Sequence, residues 1–255
     1  MTCELLLNRI FEEKIVYDEK GNKHDLQSNI SKEEGIFLQS LIKKYQPENT
    51  IEIGCAQGIS SLFICSELEK RQNTHHTIID AFQSSYFNNI GVANLNKANV
   101  KLYDLKEEYS EIALPKLLSE GKKYDFCFID GNHTFDHVLI DFFYLNRMTN
   151  IGGIIVLDDV GMPSINRLVR YLLNYPAYKL VDKLSQSEST KIKLFDIIIR
   201  GPFRLISKLM PKRFRNFIFT GRVIKSNKEL KLNSSMVALQ KIKEDERSWD
   251  WFVEF

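Results

Sequence analysis

The sequence predicts a doubly wound α/β domain on a mostly parallel, seven-stranded sheet, and three observations carry that expectation. Short apolar runs recur at residues 50–53, 77–79, 100–103, 126–129 and 154–157, with intervals between them long enough for crossover helices. Two later runs, 178–181 and 236–239, supply the last strands. The runs end in Gly or Asp, and in such sheets ligands sit outside the carboxyl ends of the strands. Repeated βα units put helices on both faces of a parallel sheet.

Composition agrees with one large domain: of 255 residues, 44% are hydrophobic and 27% charged, which excludes disordered and collagen-like chains. The three leucines at 5–7 are too short a run for a signal-peptide core or a membrane span, so a cytoplasmic protein is expected. Four cysteines (Cys3, Cys55, Cys65, Cys127) form no CxxC pair and are expected as free thiols without structural zinc.

Residues 1–48 form a preamble, and 49–255 the main domain. A hairpin is expected around Lys20-Gly21-Asn22. A helix follows from Ser31, where Ser31-Lys32-Glu33-Glu34 is a capping box. Phe37, Leu38, Leu41, Ile42 and Tyr45 keep helical spacing until Pro47.

The first strand closes as Glu52-Ile53-Gly54-Cys55-Ala56-Gln57-Gly58, and Ile59-Ser60-Ser61-Leu62 opens the next helix. Gly54 and Gly58 permit a sharp turn and close approach to a ligand. Their spacing is GxxxG rather than the dinucleotide GxGxxG, and Glu52 suits a cationic amino group better than a phosphate. Asp80 closes the second strand, where a carboxylate can accept both hydroxyls of a ribose. Asp104 is the polar end of the third, and His75 and His76 precede the second strand.

The fourth strand ends in Asp130, followed by Gly131-Asn132-His133-Thr134-Phe135, and the fifth ends in Asp158-Asp159. Neighbouring parallel strands lie about 4.8 Å apart, so these three carboxylates can converge. Their mutual repulsion calls for a cation, and all-oxygen ligation favours Mg²⁺ before Ca²⁺, with Mn²⁺ also suited. His133, at the mouth of the same strand, has the ordinary pKa of a general base. Asn132 is either an orienting group or a turn residue. His24, His75, His76 and His137 are read as structural.

These residues resemble the class I methyltransferases, whose first motif is acidic-x-Gly-x-x-x-Gly and whose second strand ends in a ribose-binding acid. The resemblance implies a Rossmann-like methyltransferase domain that binds S-adenosylmethionine. It places Gly54 and Gly58 against the methionine portion, Glu52 near the ammonium and Asp80 on the ribose. Cys55, Ala56, Ser60, Ala81, Phe82 and Asp130 complete the implied cofactor site. Asp80-Ala81-Phe82-Gln83 resembles the macrocin-type sugar O-methyltransferases.

Asp130-x-x-His133-x-Phe135 with Leu157-Asp158-Asp159 looks like the metal-dependent subgroup of macrolide-sugar and aminocoumarin-sugar enzymes, and more distantly the catechol O-methyltransferases. Their metal ligands map onto Asp130, Asp158 and Asp159, and the macrolide-sugar catalytic histidine onto His133. Catechol enzymes carry lysine at position 133 and asparagine at 159, a departure that argues against a catechol substrate. The resemblance covers roughly residues 31–183. It implies transfer of a methyl group from S-adenosylmethionine to a hydroxyl, first of all in a vicinal diol of a sugar, with Asp130 and His133 as the catalytic pair. An NAD-dependent oxidoreductase and a non-catalytic nucleoside-binding module are the rival readings. Nucleic acid is not an expected substrate, because no aromatic-basic surface accompanies the strand ends.

Residues 191–231 hold twelve Lys/Arg against Asp196 and Glu229, a charge of +10; with a chain total of +2, the remainder carries −8. This lies in a basic insertion, about 186–233, before the last strand. Its mixture of Leu, Ile and Phe with Lys and Arg fits either an amphipathic helix on an anionic membrane or a packed lid or homo-oligomer contact, with packing the slightly preferred reading.

Overall fold

Alternation of apolar side chains along the central strands decides the layering. The computed structural model describes residues 1–185, 201–211, 214, 218–219, 227, 229–230 and 232–253. In β6 (Tyr124–Ile129), Phe126 and Phe128 join one buried cluster while Cys127 and Ile129 join the other. β7 (Thr149–Leu157) alternates likewise, with Ile154 and Val156 on the first face and Ile155 and Leu157 on the second. Strands apolar on both sides must be covered on both sides.

The first face is covered by α1 (Cys3–Glu13), α2 (Lys32–Tyr45), α3 (Ile59–Leu68) and α4 (Ile90–Lys97). α5 (Ser110–Ser119), α6 (Phe135–Met148) and α7 (Pro163–Leu172) cover the second. The preamble therefore contributes core: Leu6, Leu7 and Ile10 of α1 and Leu38, Leu41 and Ile42 of α2 are buried with α3. Between these helices β1 (Ile15–Tyr17) and β2 (Lys23–Asp25) form the hairpin expected around Gly21. Ser31 caps α2, and its hydroxyl and backbone exchange hydrogen bonds with Glu34 as a full capping box.

The remaining strands are β3 (Asn49–Ile53), β4 (His75–Ile79), β5 (Tyr103–Lys106), β8 (Tyr178–Ser185) and β9 (Ser234–Lys241). The order is β5-β4-β3-β6-β7-β9-β8, parallel from β5 to β7, with β9 antiparallel to both its neighbours. This is the doubly wound, seven-stranded sheet that the sequence predicts. α8 (Gly201–Leu209) belongs to the basic insertion between β8 and β9. Residues 186–200 and much of 212–231 in that insertion lie outside the described residues.

Two local expectations are corrected. The third strand lies at Tyr103–Lys106, not at 100–103. Val100 is buried as an apolar plug in the connection from α4, while the strand itself is a half-exposed sheet edge with polar residues. Asp104 consequently sits inside β5, bonded to His75, and the strand ends at Lys106. His75 and His76 are the first two residues of β4 rather than its approach, and His76 is buried with Nδ1 2.7 Å from the Thr50 hydroxyl.

Candidate active site at the carboxyl ends of the strands

Strand order reverses between β3 and β6, which run to either side of the same crevice. Their ends approach so closely that only glycine fits: a Cβ on Gly54 (φ 89°) would lie 2.1 Å from the Asp130 carbonyl oxygen. A cavity of about 650 Å³ opens there. Of the site residues expected from sequence, all line it except Glu52 and Gly58.

Glu52 pairs in register with Ile78 and Phe128, so it shares their sheet face and points beneath α3 instead of out of the strand end. Fully buried, its carboxylate accepts the Ser61 hydroxyl and lies 3.4 Å from His76 Nε2. Its expected place beside a ligand's ammonium is therefore not where the structure puts it. Gly58 (φ 80°) is the N-cap of α3, where a Cβ would come 2.9 Å from Gly91 Cα. Its smallness serves helix packing, not approach to the cavity.

Asp80 has a role that sequence reasoning missed. Its Oδ2 accepts the backbone N–H groups of Cys55 (2.9 Å) and Ala56 (2.7 Å) and the Gln83 amide (3.1 Å), pinning the glycine turn. Oδ1 accepts the Phe82 N–H at 2.8 Å, which leaves it capacity for a further donor, and Asp80 lines the cavity. Gln83 also donates to the Ala56 carbonyl. Phe82 and Tyr109 meet edge to face at 5.6 Å on the cavity wall.

At the other end, Asp130, His133 and Asp159 each bring one ligand atom within 4.8 Å of the others. His133 bridges the acids, with Nε2 3.2 Å from Asp130 Oδ1 and Nδ1 3.5 Å from Asp159 Oδ2. Asp158 lines the cavity but stands outside that trio: its Oδ1 accepts the Asp159 N–H at 2.7 Å. The expected trio of carboxylates is thus replaced by two carboxylates and a histidine, with Asp158 behind them. Asp159 sits in the left-handed region (φ 51°), a cost of about 1 kcal/mol or more for a non-glycine residue. The turn is held by Met162 N–H on the Asp159 carbonyl and by Val160 N–H on Ser235 of β9.

Electrostatics fit a cation. Burial above all, then Asp130, pushes the Asp158 carboxyl well above the usual carboxylate range. Asp130 is likewise raised, chiefly by burial, while its hydrogen bond to His133 works in the opposite direction. That bond raises the His133 pKa. The Asp130 and Asp159 carboxylates, with His133 between them, suit a divalent ion such as Mn²⁺ or Mg²⁺ held by the two acids.

Asn132 accepts the Thr134 N–H at 3.1 Å, an Asx turn that leads into α6, and the Ser164 hydroxyl bonds the His133 carbonyl at 2.5 Å. His137, read as structural, bonds Thr134 and lines the cavity. Sequence reasoning also missed the preamble's part: Ser28, Asn29, Ile30 and Glu34 form one wall. The capping box that starts α2 was the available signal for Glu34. Among the described residues all four cysteines are buried and unpaired, as expected.

Residues 51–160 match the family model described as a methyltransferase domain. By sequence the chain is similar to tapetum-specific methyltransferase 1 of Arabidopsis thaliana, 32% identical over 130 residues, which are 50% of this chain and 53% of that protein. It is also similar to caffeoyl-CoA O-methyltransferase 2 of Petunia hybrida, 31% identical over 133 residues, 51% of this chain and 52% of that one. The chain spans about half the length of these curated relatives. By fold it is similar to the O-methyltransferase from Bacillus cereus in complex with SAH (TM-score 0.57, 18% identity, 72% of this chain and 84% of that one). The O-methyltransferase TomG from Streptomyces achromogenes, in complex with SAM, gives a TM-score of 0.56 at 18% identity, covering 72% and 82%. The chain therefore has the Rossmann-like α/β fold of the methyltransferases, and relatives such as the Petunia and Bacillus cereus proteins are O-methyltransferases.

Proposed function

We propose that this protein transfers a methyl group from S-adenosylmethionine to one hydroxyl of a vicinal diol. In this reading Asp130 and Asp159 hold a divalent cation, Mg²⁺ or Mn²⁺, and His133 receives the proton. The observation that carries it is the meeting of Asp130, His133 and Asp159 within 4.8 Å, in the same cavity as the Gly54 turn and Asp80. The fold neighbours in complex with SAH and SAM support the choice of methyl donor.

Each end of the cavity has a task. The Asp80 Oδ1 lone pair is available to a ribose hydroxyl, and the Phe82–Tyr109 wall offers an apolar surface for a purine. A bound divalent ion lowers the pKa of a hydroxyl it touches by several units. Asp130 and Asp159 would supply the negative charge for that ion, while burial favours the protonated form of Asp158 beside them. Asp130 also positions the imidazole, with Oδ1 3.2 Å from Nε2; a proton held on Nε2 by that contact would leave Nδ1 to take the second. Holding a diol by both oxygens would orient one of them toward the methyl carbon.

A sugar diol of the macrolide-sugar type is the first choice of acceptor, because His133 stands where catechol enzymes carry lysine. A caffeoyl acceptor, named for the Petunia relative, also carries adjacent hydroxyls and is the second. Neither rival class gains a feature in its favour, since an NAD enzyme would want the GxGxxG turn that the chain lacks. The test is mass-spectrometric: labelled S-adenosylmethionine is offered with panels of sugar, polyketide and phenolic diols, with Mg²⁺ and with EDTA. A methylated product that needs the cation is expected. Full activity in EDTA would remove the cation from the reaction, and equal methylation of monohydroxy analogues run beside the panels would remove the diol.

A further inference from the structure

The helix of the basic insertion presents its apolar side to solvent. α8 reads Gly201-Pro202-Phe203-Arg204-Leu205-Ile206-Ser207-Lys208-Leu209, and among its described side chains Ser207 is the buried one, at 0% exposed. At 100° per residue, Leu205, Leu209 and Ile206 occupy one continuous arc, with Phe203 beside it. Leu209 is 81% exposed, Leu205 66%, Ile206 50% and Phe203 49%. Phe214 and Ile218, farther along the insertion, are exposed as well. Packing of this stripe against the protein's own body would have hidden these side chains and left the serine outside.

Charge selects the occupant of that face. The segment 191–231 carries +10 within a chain whose remainder carries −8. An apolar stripe on a strongly basic segment is complementary to a surface with an apolar interior and anionic headgroups. A second copy of the chain would bring the same +10 against itself, a repulsive arrangement. None of the described helices is long and apolar enough to cross a membrane, so contact would be from one side, with the helix lying in the interface. The insertion also leaves and rejoins the sheet at the end that holds the cavity: Ser185 pairs with Ser234, and Ser235 bonds Val160, next to Asp159.

We propose that α8 is a peripheral docking surface for anionic phospholipid bilayers. The proposal stands independently of the methyl-transfer reading. It is tested by flotation of the full chain with vesicles of phosphatidylcholine alone and of phosphatidylcholine with about one third phosphatidylglycerol. Flotation is expected with the anionic vesicles only, weakening as salt is raised. The double variant Leu205→Glu, Leu209→Glu, at exposed positions where folding is not at stake, should lower the bound fraction about tenfold or more with an unchanged melting temperature. Three results would overturn the proposal: no flotation with either vesicle, equal flotation of the double variant, or a wild-type dimer in sedimentation that the double variant abolishes.

Discussion

The hydrogen bond and charge of Asp130, with Asp159, raise the His133 pKa above its ordinary value in metal-free protein. A divalent ion on Asp130 and Asp159 would compete with the proton on His133. The His133 ring signals, followed by NMR, should titrate above 6.5 in metal-free protein and move to lower pH when Mg²⁺ is added; an unmoved titration would mean that no ion binds these acids. His133→Ala should keep S-adenosylmethionine binding by calorimetry while lowering turnover roughly 10²-fold or more. Unchanged turnover would remove the histidine from the chemistry. Gly54→Ala sets a Cβ against the Asp130 carbonyl at a backbone angle alanine resists. A loss of about 2–4 kcal/mol in chemical denaturation is expected, together with loss of ligand binding.

The elements that position these residues differ in how far they can be read from sequence. The capping box at Ser31 was legible because its chemistry is local: hydroxyl, backbone and Glu34 lie within one turn. Ser31→Ala should cost about 1 kcal/mol, or roughly 2–4 °C in melting temperature. A variant as stable as wild type would show that the box contributes nothing. β6 and β7 were legible because strands buried on both faces are continuously apolar, and their carboxyl ends announce themselves with aspartates. β5 was not, since an edge strand needs little apolarity and the nearby Val100 belongs to a connection. Glu52 and Asp158 misled for one reason. Spacing along the chain says which residue ends a strand, whereas the side-chain direction, inward for Glu52 and back onto the Asp159 N–H for Asp158, depends on pairing and turn geometry.

Across the whole molecule a set of acids is buried, two of them at the site. Asp130 and Asp158 are raised by burial, and Asp141 on α6, also by burial, is pushed up to about 6. Each folded-state value lies above the ordinary 3.8, so the native state keeps protons that the unfolded chain releases. Their contribution is complete below about pH 4 and is lost as pH rises through neutrality; His133, also raised, acts in the same direction. In EDTA the melting temperature should therefore fall between about pH 5 and about pH 8, with Mg²⁺ restoring more at the upper end. A melting temperature that rises over that range would contradict this account of the buried acids.

The claim on which the functional reading rests is that one cavity holds a methyl donor and a cation side by side. Crystals grown with S-adenosylhomocysteine and Mn²⁺, measured for anomalous scattering, test it directly. The account predicts a manganese peak between the carboxylates of Asp130 and Asp159, in the same cavity as a nucleoside lying beside Gly54 and Asp80. A nucleoside bound there with no manganese peak near those carboxylates would contradict it.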